Sequence, residues 1–293
     1  MSEQRERIVV GIDGSALSKA ALRWALAEAT RRAAAVDVIH VWSYPAVAMT
    51  PYAATAVPVV SPEDLESAAE RVVTDAMAEV HDAVGDVVVT STTERGHPAE
   101  VLVSKAKGAT MLVVGSHGHG GFAGMLLGST SNQLLHHACV PVVVVNSTAT
   151  MAGGRIVVGV DGSPASIDAL RWALAEARVR HVGVDVVHAW QYPGVLFFGE
   201  TMVIAADDVE AGAKEVLEHT MAAVADERAD LDVRTSVERG HAVGVLTEHA
   251  KDAGLVVVGS RGRGGFSGLL LGSVSSEVVH HATCPAVVVR TGE

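Results

Sequence analysis

The sequence predicts two tandem α/β domains, each a doubly wound parallel sheet of five strands with helices on both faces. Three observations lead to this fold class. The chain of 293 residues is 49% hydrophobic and 19% charged, which supplies enough apolar material for two compact cores. Its second half repeats its first. Within each half, short β-branched runs alternate with stretches of helical periodicity.

The repeat sets the expected domain limits. RIVVG, DGS and ALRWALAEA recur between Arg7–Pro45 and Arg155–Pro193 at a spacing of 148 residues, and ERGH recurs further on at a spacing of 144. We therefore expect one domain at 1–146, a short flexible linker at 147–154 and a second domain at 155–293.

The elements follow in order along the first copy. Five apolar runs are too continuous for strands with one solvent-exposed face, which predicts strands buried on both sides. They are Ile8–Ile12, Val36–Val41, Val87–Thr92, Met111–Val114 and Val142–Val145. Four helical stretches lie between them: Ala16–Arg32, Pro62–Val84, Pro98–Lys107 and Ser129–His137. Ser61 suits the cap of the second helix, and the proline-rich stretch before it predicts an irregular excursion from Pro45 to Pro62.

Composition and charge exclude several classes of protein. A net charge of −12 argues against broad contact with nucleic-acid phosphates, and 4% aromatic content argues against a base-stacking platform. No segment approaches the ~20 apolar residues of a membrane span, and the charged N-terminus lacks the apolar stretch of a secretion signal. We expect a cytoplasmic protein without nucleic-acid or membrane partners. Its two cysteines, Cys139 and Cys284, are expected to be buried small hydrophobic residues.

Glycines follow two strands of each copy in a pattern suited to phosphate. The first strand ends in GIDGS at Gly11–Ser15, repeated as GVDGS at Gly159–Ser163. The fourth ends in GSHGHGG at Gly115–Gly121, repeated as GSRGRGG at Gly259–Gly265, and a Gly-Ser pair then starts the last helix. Glycines let backbone N–H groups approach an anion, and a helix N-terminus adds partial positive charge.

The topology of a doubly wound sheet suggests where these loops meet. Ligands bind such sheets at the carboxyl ends of neighbouring strands whose connections leave in opposite directions. If strands one and four are those neighbours, Asp13 and the Gly115 loop flank one crevice, and Asp161 and the Gly259 loop flank another. A carboxylate suits ribose hydroxyls, and a glycine loop with a helix start suits phosphates. Together they predict a nucleotide site in each domain.

The whole chain resembles a tandem-domain member of the universal stress protein family, in its ATP-binding branch. The signature of that branch, G-x2-G-x9-G-(S/T), occurs as Gly115, Gly118, Gly128 and Ser129, and again as Gly259, Gly262, Gly272 and Ser273. The resemblance implies a Rossmann-like fold of the adenine nucleotide hydrolase type with strand order 3-2-1-4-5. It also implies pairing through the last strands, Val142–Val145 and Val287–Val289, between the halves of one chain or in a homodimer.

The same resemblance implies a role for each part of the site. Asp13 and Asp161, after Gly11 and Gly159, would contact the ribose. Val41 and Ala189 would border the adenine through backbone groups. The phosphates would be held in the first domain by Gly115, Ser116, His117, Gly118, His119, Gly120, Gly121, Gly128, Ser129 and Thr130. In the second domain they would be held by Gly259, Ser260, Arg261, Gly262, Arg263, Gly264, Gly265, Gly272, Ser273 and Val274.

Other chemistries fit the residues less well. A dinucleotide-dependent oxidoreductase carries G-x-G-x-x-G directly after its first strand, where this chain has GIDGS. A P-loop NTPase needs G-x4-G-K-(S/T), and no lysine occupies such a place. Ser15 and Ser163 suit helix caps, which leaves no nucleophile and base pair beside Asp13. The histidine pairs 136–137 and 280–281 do not predict a metal site, because adjacent helical residues point about 100° apart.

We expect an ATP-binding regulatory protein that takes ATP with Mg²⁺ and has no evolved catalytic centre. ATP occupancy would change the surface offered to a regulatory protein partner, and the resemblance implies a role in stress survival or growth control. Two alternatives stay open. One is a slow ATPase, and the other is a scaffold or chaperone-like protein whose nucleotide sites are vestigial.

The two glycine loops differ in their cationic residues. The first carries His117 and His119 where the second carries Arg261 and Arg263. Arginine stays charged at every physiological pH, whereas histidine titrates near neutrality. We therefore expect the second site to hold ATP more tightly near pH 8 and the first to gain affinity as the pH falls toward about 6.

Overall fold

The computed structural model of the chain describes residues 6–43, 61–118, 127–146, 154–192, 206–263 and 270–290. The chain divides into two compact units, Met1–Leu134 and Leu135–Glu293. The last strand of the first sequence copy is thus counted with the second unit. The expected domain limits of 1–146 and 155–293 stay a prediction, and most of the expected linker and of the proline-rich stretch lies outside the described residues.

Unit 1 alternates strand and helix in the expected order. Its elements are β1 (Arg7–Ile12), α1 (Ala16–Arg32), β2 (Ala35–Trp42), α2 (Pro62–Glu79), α3 (His81–Val84), β3 (Val89–Arg95), α4 (Pro98–Lys105), β4 (Met111–Gly115) and α5 (Ser129–His137), which crosses the unit boundary. The strands are parallel in the order β3-β2-β1-β4, and Val9 pairs with Asp37 on one side and Leu112 on the other. β1 and β4 are therefore neighbours, as the crevice requires.

Unit 2 repeats this arrangement and adds two strands. Its elements are β5 (Val142–Val145), β6 (Ile156–Gly159), α6 (Pro164–Arg180), β7 (Val184–Trp190), α7 (Ala206–Ala222), a 3₁₀ turn (Asp226–Arg228), β8 (Val233–Arg239), α8 (Ala242–His249), β9 (Leu255–Gly259), α9 (Ser273–His281) and β10 (Ala286–Val289). Five strands are parallel in the order β10-β9-β6-β7-β8. β5 joins antiparallel to β10, with Val143 opposite Val287.

The predicted fold class is confirmed, and β8-β7-β6-β9-β10 is the expected 3-2-1-4-5 order. Each sequence copy supplies five described strands, as predicted, but the boundary between the compact units does not follow the copies. Among the described residues, unit 1 holds four strands and unit 2 holds six, because the two segments expected to pair, β5 and β10, form one ladder.

The helices begin and end where their terminal residues can satisfy the backbone. Helix α1 begins after Ser15, whose hydroxyl accepts a hydrogen bond from the N–H of Ser18 at 3.2 Å, and it ends at Ala33 in the left-handed conformation. Its inner face packs Leu22 and Leu26, both fully buried, against the sheet. The repeated helix α6 is capped in the same way by Ser163.

Three expectations about individual segments are wrong. β3 is not buried on both sides: it lies at the edge of the sheet, and its residues from Thr90 to Thr92 are exposed. The helix expected over 62–84 is interrupted at Val80, which separates α2 from α3. Cys139 is exposed in the turn between α5 and β5, although Cys284 is buried as expected.

Candidate functional site

A cleft opens at the carboxyl ends of the two central neighbouring strands in each unit. In unit 1 it lies beyond β1 and β4 and has a volume of about 370 Å³. In unit 2 it lies beyond β6 and β9 and has a volume of about 450 Å³. Both volumes fall in the range of small-molecule sites. The strand ends thus form the crevice that the topology predicts.

The structure brings most of the expected site residues into these clefts. The first is lined by Gly11, Asp13, Val41, Gly115, His117, Gly118, Gly128, Ser129 and Thr130. The second is lined by Gly159, Asp161, Ala189, Gly259, Arg261, Gly262, Arg263, Gly272, Ser273 and Val274. Ser116 and Ser260 are buried and are not among the lining residues. His119, Gly120, Gly121, Gly264 and Gly265 lie outside the described residues.

The aspartate of each cleft is held by the turn that follows its strand. Asp13 Oδ1 accepts a hydrogen bond from the N–H of Ser15 at 3.0 Å, and Asp161 Oδ1 accepts one from Ser163 at 3.0 Å. In the first turn, Gly14 lies between the aspartate and the serine and has a φ of 85°. A side chain there would be strained, so the D-G-S sequence combines a carboxylate, a left-handed glycine and a helix cap.

The glycine loop passes against this carboxylate. A Cβ added to Gly118 would lie 1.9 Å from Asp13 Oδ2, and one added to Gly262 would lie 2.4 Å from Asp161 Oδ2. In the second cleft the loop residue after Gly262 donates a hydrogen bond to the same oxygen: the N–H of Arg263 lies 2.8 Å from Asp161 Oδ2. Glycine at these two positions therefore allows the loop and the aspartate to share one edge of the cleft.

The hydrogen bonds of Asp161 set its charge. Burial by itself would raise the pKa of the Asp161 carboxyl, but hydrogen bonds from Ser163, Arg263 and Ser166 outweigh burial and lower that pKa below its usual range. The carboxylate is therefore ionised at neutral pH and accepts hydrogen bonds, as contact with hydroxyl groups requires.

The start of the last helix is fastened to the end of the fourth strand. In the first cleft the Gly128 N–H donates to the Ser116 carbonyl at 2.6 Å, and the Ser131 hydroxyl donates to the Gly115 carbonyl at 2.7 Å. In the second, the Gly272 N–H and the Ser275 hydroxyl donate to the matching carbonyls at 2.8 and 2.6 Å. Sequence reasoning missed both serines, although their recurrence in the two copies was a usable signal.

The helix N-termini face the clefts with backbone donors. α5 begins at Ser129 and α9 at Ser273, and both residues line their clefts. The cap of α9 is Gly272, which has no side chain to accept from the first-turn N–H groups. Such N–H groups, together with the partial positive charge of the helix end, are suited to an anionic ligand.

The opposite wall of each cleft is apolar. A Cβ on Gly11 would lie 2.7 Å from Leu102 Cδ1, and one on Gly159 would lie 2.7 Å from Leu246 Cδ1. The glycines at these strand positions therefore let a leucine of α4 or α8 reach the base of the cleft. Sequence reasoning missed the leucines, because only the fold brings these helices to the strand ends.

Val41 and Ala189 complete the apolar wall at the ends of β2 and β7. The preceding histidines connect these strands to the cleft. His40 Nδ1 lies 2.8 Å from the Ile12 carbonyl, and His188 Nδ1 lies 2.7 Å from the Val160 carbonyl. These hydrogen bonds hold the two strand ends beside the carboxylate turn.

Comparison with known proteins gives the family of this chain. The sequence model of the universal stress protein family (Usp) matches residues 4–146 and again 154–290. The chain belongs to the universal stress protein family. As expected from the sequence, it is a tandem member with two Usp domains.

Relatives of the same length share this organisation. A universal stress protein of Mycolicibacterium smegmatis is 39% identical over 97% of this chain and 96% of its own. One from Mycobacterium tuberculosis is 33% identical, with the same shares covered. The crystal structure of a universal stress protein from Archaeoglobus fulgidus, 20% identical, covers 98% of this chain and 99% of its own with a TM-score of 0.71, which shows a shared fold. In the described part of this universal stress protein, no helix is long and apolar enough to cross a membrane.

Proposed function

We propose that this universal stress protein binds ATP, as its Mg²⁺ complex, in both clefts and acts as a regulatory protein in the cytoplasm. One observation carries the proposal: the same arrangement of carboxylate, glycine loop, helix N-terminus and apolar wall occurs twice, at the strand ends where doubly wound folds bind nucleotides. Each part suits one part of ATP.

The carboxylate and the apolar wall suit the nucleoside. Asp13 and Asp161 present carboxylate oxygens to a ribose, whose hydroxyl groups are hydrogen-bond donors. Val41 and Ala189, at the ends of β2 and β7, offer backbone groups and apolar surface to an adenine ring. The leucines of α4 and α8 add apolar surface at the base of each cleft.

The other half of each cleft suits the triphosphate. Backbone N–H groups at Ser129 or Ser273 lie at the start of a helix, and the glycine loop lies next to them. Mg²⁺ binds through the phosphates of its nucleotide and few protein ligands. The ion would therefore be held by the triphosphate itself and not by a ligand set of the cleft.

The state of Asp161 supports binding over chemistry. A general base works best with a pKa near the operating pH, whereas hydrogen bonds lower the pKa of Asp161 below its usual range. Its two oxygens accept backbone hydrogen bonds from Ser163 and Arg263, which keep the carboxylate ionised and attach it to the loop. ATP occupancy would change the conformation of the clefts, and a partner protein would recognise the changed surface.

The deciding experiment is to denature freshly purified protein, identify the released nucleotide by chromatography and count moles per chain. We expect close to two ATP. The variants Gly128→Glu and Gly272→Glu each place a negative charge beside one phosphate loop. Each variant should release about half as much ATP per chain as the wild-type protein. Gly212→Glu is the matched control, because Gly212 lies on α7 with open space around it.

Two further results would decide against the proposal. No released nucleotide, together with no calorimetric binding of added Mg-ATP at either cleft, would overturn ATP binding and favour a scaffold role. The second result is rapid Mg²⁺-dependent formation of ADP that is abolished in Asp13→Ala/Asp161→Ala while ATP still binds. This would overturn the proposed regulatory function and favour an ATPase.

A further inference from the structure

The two clefts differ in the charge of their linings. Asp13 and His117 are the titratable side chains among the described lining residues of the first cleft. The corresponding set in the second is Asp161, Arg261 and Arg263. At alkaline pH an imidazole is neutral and a guanidinium is charged. The described linings then carry one negative charge in the first cleft and one positive charge in the second.

The arginines of the second cleft are placed for phosphate. Arg261 and Arg263 are both exposed to solvent and both line the cleft. The backbone of Arg263 is fastened to Asp161, and its guanidinium lies 3.5 Å from the Gly162 carbonyl, over the carboxylate turn. Arg261 is fastened more weakly, by a 3.5 Å contact of its carbonyl with the Ser163 hydroxyl. Two permanent charges therefore line this cleft, and Arg261 is the one beside the helix start assigned to phosphates, because a Cβ on Gly272 would lie 3.6 Å from the Arg261 Cα.

His117 holds the position of Arg261 in the first cleft. It is exposed at the cleft wall, and its Nδ1 lies 3.2 Å from the hydroxyl of Ser116. A Cβ on Gly128 would lie 3.3 Å from the Cα of His117, so the histidine stands directly beside the start of α5. An imidazolium there would face the same phosphates as the guanidinium of Arg261.

The elements around His117 contribute one further described charge. The turn after β1 contributes the Asp13 carboxylate, which lies against the neighbouring Gly118. α4 contributes Pro98 and Leu102 to the lining, and α5 contributes the uncharged residues Gly128–Ser131. In the sequence between Gly118 and Leu127 the single titratable residue is His119. Among the described lining residues, His117 is therefore the cation available to a phosphate in the first cleft.

We propose that the second cleft is a constitutive polyphosphate site and the first a conditional one, which gains affinity for ATP as the pH falls and His117 becomes charged. This rests on the proposed function, that both clefts bind ATP. A bound phosphate favours the imidazolium over the neutral ring. The added affinity is therefore present at acidic pH, where an imidazolium forms, and is lost at alkaline pH, where the ring is neutral. Two binding sites on one chain would thus be filled in an order set by pH.

The expected effect is large enough to measure. One charge-assisted hydrogen bond accounts for roughly a tenfold or greater change in affinity. Between about pH 8 and pH 6 the first cleft should therefore tighten on the order of tenfold relative to the second. A phosphate group has its own ionisation near pH 6, and the His117→Arg variant separates the contribution of the histidine from that of the ligand. The informative quantity is the ratio of the two dissociation constants in the same buffer.

The test is calorimetric titration with Mg-ATP at pH 8 and pH 6. The first cleft is measured alone in Gly272→Glu and the second alone in Gly128→Glu. In the Gly272→Glu chain, His117→Arg should tighten binding at pH 8 and remove most of the pH dependence. In the Gly128→Glu chain, Arg261→His should introduce pH dependence, and Arg261→Lys should not. His81→Asn is the control, because His81 is exposed on α3 and is not a lining residue.

The outcomes separate this proposal from the one on which it rests. No ATP bound by either cleft at either pH would overturn the proposed function and this inference with it. ATP bound by both clefts with the same pH dependence, or a pH dependence that persists in His117→Arg, would overturn the inference alone. If a glycine variant does not fold, the wild-type isotherm serves: we expect two separated steps at pH 8 that converge at pH 6, and a constant separation would contradict it.

Discussion

Substitution of Gly118 by alanine tests the contact between the glycine loop and the carboxylate. The added Cβ would lie 1.9 Å from Asp13 Oδ2, whereas ordinary contacts begin near 3.4 Å. Gly118 has no positive φ, so the cost arises from this contact and not from the backbone. The Asp13 side chain is the part that can move. Its movement breaks the hydrogen bond that Ser15 donates to it at 3.0 Å.

The magnitudes follow from the bonds that are lost. The Ser15 bond also has a charged acceptor, so losing it costs about 1.5–3 kcal/mol of folding free energy. Moving the carboxylate away from the ribose removes hydrogen bonds to a charged acceptor, each contributing about 1.5–3 kcal/mol. We therefore expect Gly118→Ala to weaken ATP binding roughly 10- to 150-fold at the first cleft while the protein stays folded.

The assay is calorimetric titration of Gly118→Ala in the Gly272→Glu chain, with thermal unfolding measured in parallel. Gly244→Ala is the matched control, because Gly244 lies on α8 with open space around it. The control should keep wild-type affinity and gain about 0.4–1 kcal/mol of stability. Wild-type ATP affinity in Gly118→Ala would refute the argument that Asp13 contacts the nucleotide from its observed position.

Three further predictions concern titration, thiol chemistry and a buried charge. Because folding lowers the pKa of Asp161, its carboxylate stabilises the fold above its unfolded-state pKa of about 4, and this stabilisation is lost as the pH falls through the lower folded-state value. Asp161→Asn should therefore flatten the acid side of the Tm–pH profile, and an unchanged slope would contradict this. Burial raises the pKa of Cys284 to about 12, whereas Cys139 is exposed; a thiol reagent at pH 8 should label one cysteine in the native chain and two after denaturation, as counted by mass spectrometry, and two labels on native protein would be evidence against the burial. Glu28 is fully buried and pairs with two arginines of its own helix. Glu28→Ala should therefore lower the free energy of unfolding, measured with denaturant, by on the order of 3 kcal/mol, whereas the exposed control Glu66→Ala should lower it by less than about 0.5 kcal/mol. Equal losses in the two variants would rule out a special role for the buried pair.

Local sequence was sufficient to predict the elements that satisfy themselves locally. The limits of α1 at Ala16 and Arg32 match the structure, because Ser15 caps the helix through its own hydroxyl and the apolar period sets its buried face. The D-G-S turn was predictable for the same reason, since its carboxylate, glycine and cap interact within a few residues of chain. The internal repeat then doubled each of these inferences.

The sequence predicted the glycine loops and carboxylates of the candidate site, but not the residues that contact the strand ends at its base. The glycine motif led to both phosphate loops, because it is contiguous and occurs twice. The sequence did not predict four residues that contact strand ends distant from them in the chain. They are Leu102, Leu246, Ser131 and Ser275. Their role exists only after the sheet has assembled.

What the sequence determined by itself is the order of strands and helices, the repeated D-G-S turns and the glycine loops, because these depend on local periodicity, capping and backbone freedom. Tertiary structure alone decided which apolar runs became central strands. The run around Thr90 lies at a sheet edge and is exposed, while Val142–Val145 pairs with Ala286–Val289 and is buried. A strand's burial depends on what lies beside it and on both faces, and those neighbours come from distant parts of the chain.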